Sequence, residues 1–349
     1  MTRPSALRQL LAGATIVFLA AVLTLLGVPL TSAQGQTLYV ADAADLPLDE
    51  PWSSAWDRAA VVEVALSPQS GVVPASLGTS VDRLRVRAMT DESQFVVLVE
   101  WQDPTLDESV LRVDRFADAV AMQFAQGSGI SFCMGQQAGS LNIWHWKADW
   151  AADLRAYRDV DDEHPNMPTD TTLPPESPPD ATAPQGPPGY LTGRDAGNLR
   201  SAADRPSSVE DLNAVGFGTL TPQPEDGQNV VGASEYRDGT WRVVMSRQLS
   251  SEDGNDASLR LGRSSVIAFA VWDGSNGDRD GQKAVSVWLA LTFPAAEPTL
   301  LDAWPFLLLM VLVFGVIAVI MVVGGREPAA GVGWPGGRPP GDADPSGSA

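Results

Sequence analysis

Two neighbouring stretches decide the fold of this chain: Leu84-Arg85-Val86-Arg87-Ala88-Met89 and Phe95-Val96-Val97-Leu98-Val99-Glu100-Trp101. The first alternates apolar and charged residues, as a half-solvated strand does. The second is apolar almost throughout, which is typical of a central strand that is covered on both faces. The polar residues 90–93 separate them. We therefore predict an antiparallel hairpin.

Similar stretches recur along the chain with turn-rich connections between them. They are Val61–Leu66, Asp118–Phe124, Leu141–Trp146, Trp241–Arg247, Val266–Trp272 and Ala284–Phe293. Short helical or turn segments are expected at 52–57 and 149–157. There is no βαβ alternation and no glycine-rich phosphate motif. About eight strands with this spacing predict an all-β fold, an antiparallel β-sandwich over residues 34–298.

The N-terminal sequence indicates export. Arg3 and Arg8 precede the uncharged run 9–30, and small residues end at Ala33. This order predicts a signal peptide over residues 1–33, with an uncleaved anchor as the alternative.

The C-terminal sequence indicates a membrane anchor. Residues 303–323 carry no charge and match the length of one transmembrane helix. Arg326 follows the run, and positive residues stay on the cytoplasmic side. We therefore expect a single-pass protein of the cell membrane whose domain lies on the extracytoplasmic side. The tail 324–349, rich in Gly, Pro and Ala, is expected to be disordered.

Residues 159–224 interrupt the strand pattern. Pro-Pro pairs at 174–175, 178–179 and 187–188 and a low apolar content predict an excursion over the domain surface. Gly216–Leu220 is a candidate anchor for this excursion on the domain.

Charge and cysteine content exclude several function classes. A net charge of −20 argues against nucleic-acid binding, which needs a basic face. The single cysteine excludes an intrachain disulfide, a Cys-ligated iron–sulfur cluster and covalent haem attachment through C-x-x-C-H. Two histidines argue against a zinc site made by protein ligands alone.

The chemistry-bearing residues are concentrated in Cys133-Met134-Gly135 and in Ile143–Trp150. Two interpretations stay open: a Trp-rich strand of the sandwich core with Met134 as a gap-filler, or one wall of a haem pocket with a soft sulfur ligand. In a strand, His145 faces the side opposite Trp144 and Trp146.

Residues 273–281 form an Asp-rich segment that we examined as a calcium loop. It has oxygen donors near its start but no closing glutamate, so a polar hairpin turn is the favoured interpretation. No hydrolase signature can be assembled from two histidines. Surface tryptophans can bind sugars, so a haem-free carbohydrate- or ligand-binding sandwich tethered to the surface remains an alternative, as does a structural anchor without a cofactor.

The order of several short segments resembles the haem b-binding γ subunit family of ethylbenzene dehydrogenase and dimethyl sulfide dehydrogenase. The segments are Arg115–Phe124, Met134-Gly135, Ile143–Asp149, Gly216–Leu220, Asp238–Val244, Phe269–Gly274 and Gly281–Ser286. The long excursion and the C-terminal helix depart from the simplest members.

The resemblance implies one non-covalent haem b with Met134 and Lys283 as the axial ligands. On the residues alone, Lys283 is a solvated turn lysine. His145 is the alternative donor, with Lys147 as another amine candidate. Trp144, Trp146 and Trp272 are expected as pocket walls.

The resemblance also implies a function. The chain would be an electron-transfer subunit, not catalytic alone, of a molybdopterin oxidoreductase complex. It would pass electrons between an iron–sulfur subunit and a respiratory carrier, and its partners would be the iron–sulfur and molybdopterin subunits.

Overall fold

The computed structural model of this protein describes residues 36–70, 78–125, 140–167, 198–202, 204–216, 218–295 and 304–324. The chain divides into two compact units, residues 1–296 and residues 297–349. The predicted signal peptide and the tail beyond Gly324 lie outside the described residues.

Strands make up almost all of the first unit, and its described part contains fourteen. They are β1 (Thr37–Tyr39), β2 (Ala41–Asp42), β3 (Val62–Pro68), β4 (Arg83–Thr90), β5 (Gln94–Gln102), β6 (Ala119–Ala125), β7 (Leu141–Lys147), β8 (Val209–Ala214), β9 (Thr221–Pro222), β10 (Val231–Arg237), β11 (Thr240–Gln248), β12 (Ser264–Trp272), β13 (Ala284–Ser286) and β14 (Leu289–Thr292). Two short helices follow β7: α1 (Ala148–Arg155) and α2 (Val160–Glu163).

The strands form two layers that share one connecting strand. The first layer has the order β10-β11-β5-β4-β3, with β2 beside β4, and the second has the order β13-β12-β6-β7-β8-β9, with β14 beside β12 and β1 beside β14. Strand β3 pairs with β4 through Val62–Ala65 and with β13 through Leu66–Pro68. Apart from β1–β14 and β2–β4, the described pairs are antiparallel.

Aromatic side chains from both layers meet in the core between them. Trp146 of β7 contacts Trp101 of β5 and Trp241 of β11, with ring centroids 6.1 and 5.0 Å apart. All three are buried. Truncating a buried aromatic of this size costs about 3–5 kcal/mol, so these contacts hold the layers together. The predicted all-β, antiparallel sandwich is confirmed.

The sequence pattern located most central strands correctly. The predicted hairpin is β4–β5, paired in antiparallel register from Arg85–Glu100 to Thr90–Phe95. The stretch Ala284–Phe293 is two strands, because β13 pairs with β3 and β14 returns to β12. The helical expectations at 52–57 and 149–157 correspond to a 3₁₀ helix at Ser54–Arg58 and to α1.

The predicted surface excursion is shorter than residues 159–224. Strand β8 lies within that range and pairs with β7, and its Val209, Asp211, Leu212 and Ala214 are buried. The Pro-rich residues 168–197 lie outside the described residues. The candidate anchor after β8 includes a turn in which the Thr219 hydroxyl accepts from the Val215 amide at 2.8 Å.

The second unit contains helix α3 (Trp304–Gly324), 21 residues long. Side-chain burial is described for its residues 308–318. Within the described residues, no helix reaches the length and apolar character needed to cross a membrane.

Candidate functional site

The second layer has an outer face that carries small side chains at its centre. Ala270 of β12 stands opposite Ala121 of β6, which stands opposite His145 of β7. Two residues further along β12, Trp272 stands opposite Ala119 of β6. We call Ala119, Ala121 and Ala270 the alanine floor; each is at most 9% exposed. The neighbours at alternate positions, such as Val120, point into the sandwich core.

Three side chains gather at one end of the alanine floor. The rings of His145 and Trp272 lie with centroids 4.7 Å apart and planes 31° from one another. The Lys283 Nζ lies 4.5 Å from the centroid of the Trp272 ring. The Trp272 indole Nε1 donates to the Asp280 carbonyl at 3.1 Å, which fixes the ring between the two nitrogen-bearing side chains.

The connection between β12 and β13 positions Lys283 beside Trp272. Strand β12 ends at Trp272, and the chain returns as β13, whose Ala284 stands opposite Val271. The connection contains Gly277 and Asp280 at positive φ, +73° and +49°. The carbonyl of Lys283 accepts from the Gln69 amide at 2.9 Å, so the backbone at the lysine is fixed by β3.

Lys283 is a buried amine without a counter-charge in the described structure. It is 6% exposed, and no described residue forms a hydrogen bond or ion pair with its Nζ. Burial lowers the pKa of Lys283 to about 8, and Asp280 opposes the shift only in part. The cost of burying an uncompensated charge favours the neutral amine. A neutral amine is an electron-pair donor.

His145 is a neutral nitrogen donor whose ring lies close to the same Trp272 ring. Its Nε2 is buried and has no hydrogen-bond partner. Burial, followed by the positive charges of Lys147 and Lys283, lowers the pKa of His145 well below its usual value.

Lys147 differs from Lys283 although both lysines are largely buried. Its Nζ forms an ion pair and hydrogen bond with Glu210 and lies 4.0 Å from the centroid of the Trp150 ring. Burial lowers the pKa of Lys147, but the charge and hydrogen bond of Glu210 oppose that shift, so Lys147 is assigned a structural role as the partner of Glu210.

The structure separates the six predicted site residues. Lys283, His145 and Trp272 come together on the outer face. Trp144 and Trp146 lie on the opposite face of β7, in the sandwich core, where Trp144 contacts Phe124 with centroids 4.7 Å apart. The opposite orientation of His145 is as predicted from the strand pattern. Met134, with Cys133 beside it, lies outside the described residues.

The alanine floor is the part of the site that sequence reasoning missed. Its signal was present as alanines two residues apart, Ala119 and Ala121 in β6 and Ala268 and Ala270 in β12. Alternate positions share one face of a strand, so paired Ala-x-Ala segments predict a flat, low surface.

The face fits a planar, aromatic, metal-bearing ligand on chemical grounds. A floor of small side chains gives a flat ring room, Trp272 supplies an aromatic edge, and the Lys283 Nζ and His145 Nε2 have no hydrogen-bond partner among the described residues. This face of the β-sandwich is therefore a candidate ligand-binding surface.

Comparison with known proteins identifies the family. The model for ethylbenzene dehydrogenase matches residues 53–284, and the chain belongs to this family. The relationship predicted from the sequence is thereby confirmed.

Three relatives show how far the similarity extends. A Haloferax mediterranei protein provisionally named a respiratory nitrate reductase heme subunit is 26% identical over 84% of this chain and 86% of its own. The dimethylsulfide dehydrogenase subunit gamma of Rhodovulum sulfidophilum is 33% identical over 62% of each chain. The chlorate reductase subunit gamma of Ideonella dechloratans is 26% identical over 70% of this chain and 79% of its own.

Among solved structures, a family 9 carbohydrate-binding module from Caldicellulosiruptor kristjanssonii aligns over 75% of this chain and 95% of its own. The sequence identity is 10% and the TM-score is 0.36. No functional conclusion follows from a likeness at this level.

Proposed function

We propose that this chain is the haem-binding electron-transfer subunit of a molybdenum oxidoreductase complex and is not catalytic alone. The observation that carries the proposal is the uncompensated Lys283 amine at the edge of the alanine floor. The family supports it, because relatives are named as a heme subunit and as gamma subunits of dimethylsulfide dehydrogenase and chlorate reductase.

The residues of the face would hold one haem b without a covalent bond, since the chain has a single cysteine and no C-x-x-C-H. When bound, haem supplies one-electron redox chemistry. Lys283 would donate its nitrogen lone pair to the iron, and Met134 would donate a thioether, a soft ligand that raises the reduction potential. His145 is the alternative nitrogen donor.

Each residue of this face would have a distinct role in binding the haem. Lys283 would lose its proton on binding the iron at a modest cost, because burial lowers its pKa to about 8. The alanine floor would lie against the ring, and Trp272 would pack beside Lys283 and His145. If Lys283 and Met134 both bound the iron, no position on it would be left for a substrate. Trp144 and Trp146 would act indirectly, by packing the core beneath β7.

The partners in this proposal are an iron–sulfur subunit and a molybdopterin subunit, with electrons passing to or from a respiratory carrier. We further propose a signal peptide at residues 1–33 and a single membrane anchor at residues 303–323. The sequence of residues 303–323, which is apolar and carries no charge over the length of one membrane span, supports the anchor.

The carbohydrate-binding alternative receives no support from tryptophan exposure. Among the tryptophans whose burial is described, none is exposed; Trp52 and Trp288 are intermediate and the others are buried. A sugar platform needs an open aromatic face.

The two buried lysines provide a matched test. The full chain is expressed with ample haem supply, and visible spectra are compared for Lys283→Ala and Lys147→Ala. We expect Lys283→Ala to lose the low-spin spectrum or most of the haem, and Lys147→Ala to retain both. If His145→Ala abolishes the low-spin spectrum while Lys283→Ala leaves it unchanged, the iron is bound by His145. If the parent binds no haem at all, the proposed function is wrong.

A further inference from the structure

Three buried carboxylates converge at the end of the second layer, next to the Trp272 edge but separate from it. Asp103 follows β5, Asp118 precedes β6 and Asp273 follows β12. One carboxylate oxygen from each residue lies within 4.8 Å of the others. Their exposures are 1%, 0% and 2%. We call these residues the Asp triad.

Hydrogen-bond donors fix the orientation of the triad without neutralising it. Asp118 accepts from the Trp241 indole, the Gly274 amide and the Asp107 amide, each at 2.9 Å. No lysine or arginine in the described part of the chain forms an ion pair with any of the three carboxylates. Three buried acids therefore face one another without a basic partner.

One buried oxygen of the triad accepts no hydrogen bond of normal geometry from the described residues. Oδ1 of Asp103 accepts from the Thr105 amide at 3.0 Å and from its hydroxyl at 3.1 Å. Oδ2 of Asp103 is buried and makes no hydrogen bond. The buried Oδ2 of neighbouring Asp107 is likewise unpaired. A buried carboxylate oxygen without a donor is costly, so this arrangement calls for a cation or a proton.

We propose that the Asp triad binds a calcium ion that ties together the ends of β5, β6 and β12. Carboxylate oxygens are hard ligands, and Ca²⁺ accepts several of them in irregular geometry, whereas Mg²⁺ demands near-ideal octahedral geometry and retains its water. A divalent cation would satisfy Asp103 Oδ2 and cancel most of the mutual repulsion. The competing occupant is a proton, because burial and the charge of Asp103 raise the pKa of Asp118 to about 7.

Sequence spacing concealed this site. The segment 273–281 taken alone lacks a closing glutamate. The structure supplies the other two carboxylates from the two ends of the β5–β6 connection, Asp103 and Asp118, which are distant in sequence from Asp273. The proposal does not depend on haem binding.

The test uses the purified full chain. We measure calcium per chain by elemental analysis and follow thermal unfolding after chelator treatment and after adding back Ca²⁺ or Mg²⁺. We expect about one calcium per chain, a lower Tm by several degrees after chelation, and recovery with Ca²⁺ but not with Mg²⁺.

Asp103→Asn sharpens the test, because an amide keeps the Oδ1 acceptor and places a donor where Oδ2 was unpaired. The chelated variant should be at least as stable as the chelated parent, yet bind no calcium and show no Ca²⁺-dependent rise in Tm. Asp114→Asn, an exposed change in the same connection, should behave like the parent. A parent that contains no calcium, and whose Tm responds to neither chelator nor Ca²⁺, would overturn the proposal and assign the triad to a proton.

Discussion

The difference between Lys283 and Lys147 shows how much of a residue's role lies outside the sequence. Lys147 ends β7 and Lys283 directly precedes β13, and both are largely buried. Glu210 forms an ion pair with Lys147, while the Lys283 Nζ lies over the ring of Trp272 and has no ion-pair partner among the described residues. Sequence pattern alone made Lys283 a solvated turn residue. Its burial follows from the pairing of β13 with β3, a contact between strands that lie far apart in the chain.

Asp211 provides a test of buried charge that is independent of the cofactor. Burial and the nearby Asp256 raise the pKa of Asp211 to about 7, although Asn142 and Gln223 donate to its Oδ1. The folded state therefore holds a proton that the unfolded chain releases near pH 4. The contribution of Asp211 to the free energy of unfolding should therefore be greatest below pH 4. It should fall as the pH rises to about 7.

The measurement is the free energy of unfolding in denaturant at several pH values, for the parent and for Asp211→Asn. Between pH 4 and pH 7 the parent should lose up to about 4 kcal/mol relative to the variant, with no further relative change above pH 8. Parallel profiles for the two proteins would show that Asp211 is ionised throughout.

At the scale of elements, the apolar pattern, alternating in strands such as β4 and nearly continuous in strands such as β5, was sufficient for β3 to β7, β11 and β12. It failed for β8, because the buried position Asp211 interrupts the apolar pattern of Val209–Ala214. The polar network around that carboxylate replaces the apolar contact that a strand residue usually makes. Periodicity showed that His145 and Trp144 face opposite sides of β7. Only the pairing of the layers shows which side is the core.

The alanine floor makes a steric prediction for β6. Ala121→Leu should reduce haem content several-fold, because the added side chain rises from the centre of the floor. The change is on the outer face, so we expect it to cost less than about 3 kcal/mol in stability. Haem per chain and Tm are measured together. Ala233→Leu, on β10 of the other layer, is the matched control and should retain haem. Equal haem content in both variants would exclude the floor as the binding surface.

For the whole molecule, the sequence predicts a strand-rich domain followed by an apolar C-terminal segment, and the structure has two compact units, residues 1–296 and residues 297–349. The fold class could be predicted because strand alternation is a local property. The set of residues that form the site could not be predicted, since it depends on the register in which β12, β13, β6 and β7 pair. The placement of Met134 and of both chain ends stays a prediction.

The proposed topology predicts protease access to the domain from outside. In spheroplasts, added protease should digest residues 34–298 while a tag placed after Arg326 stays protected. Truncation after Pro298 should release the domain from the membrane fraction. A protected domain with an accessible tag would reverse the orientation, and a truncated chain that stays in the membrane fraction would locate the anchor elsewhere.

Electron transfer without substrate chemistry requires that both axial positions of the iron are filled by the protein. The most direct measurement is the visible spectrum of the purified full-length protein during a reversible redox titration, followed by exposure of the reduced form to carbon monoxide. We expect one haem b per chain, a single reversible low-spin transition, and a reduced spectrum that carbon monoxide leaves unchanged. Rapid formation of a carbon monoxide adduct would reveal an open position on the iron and contradict the proposed role.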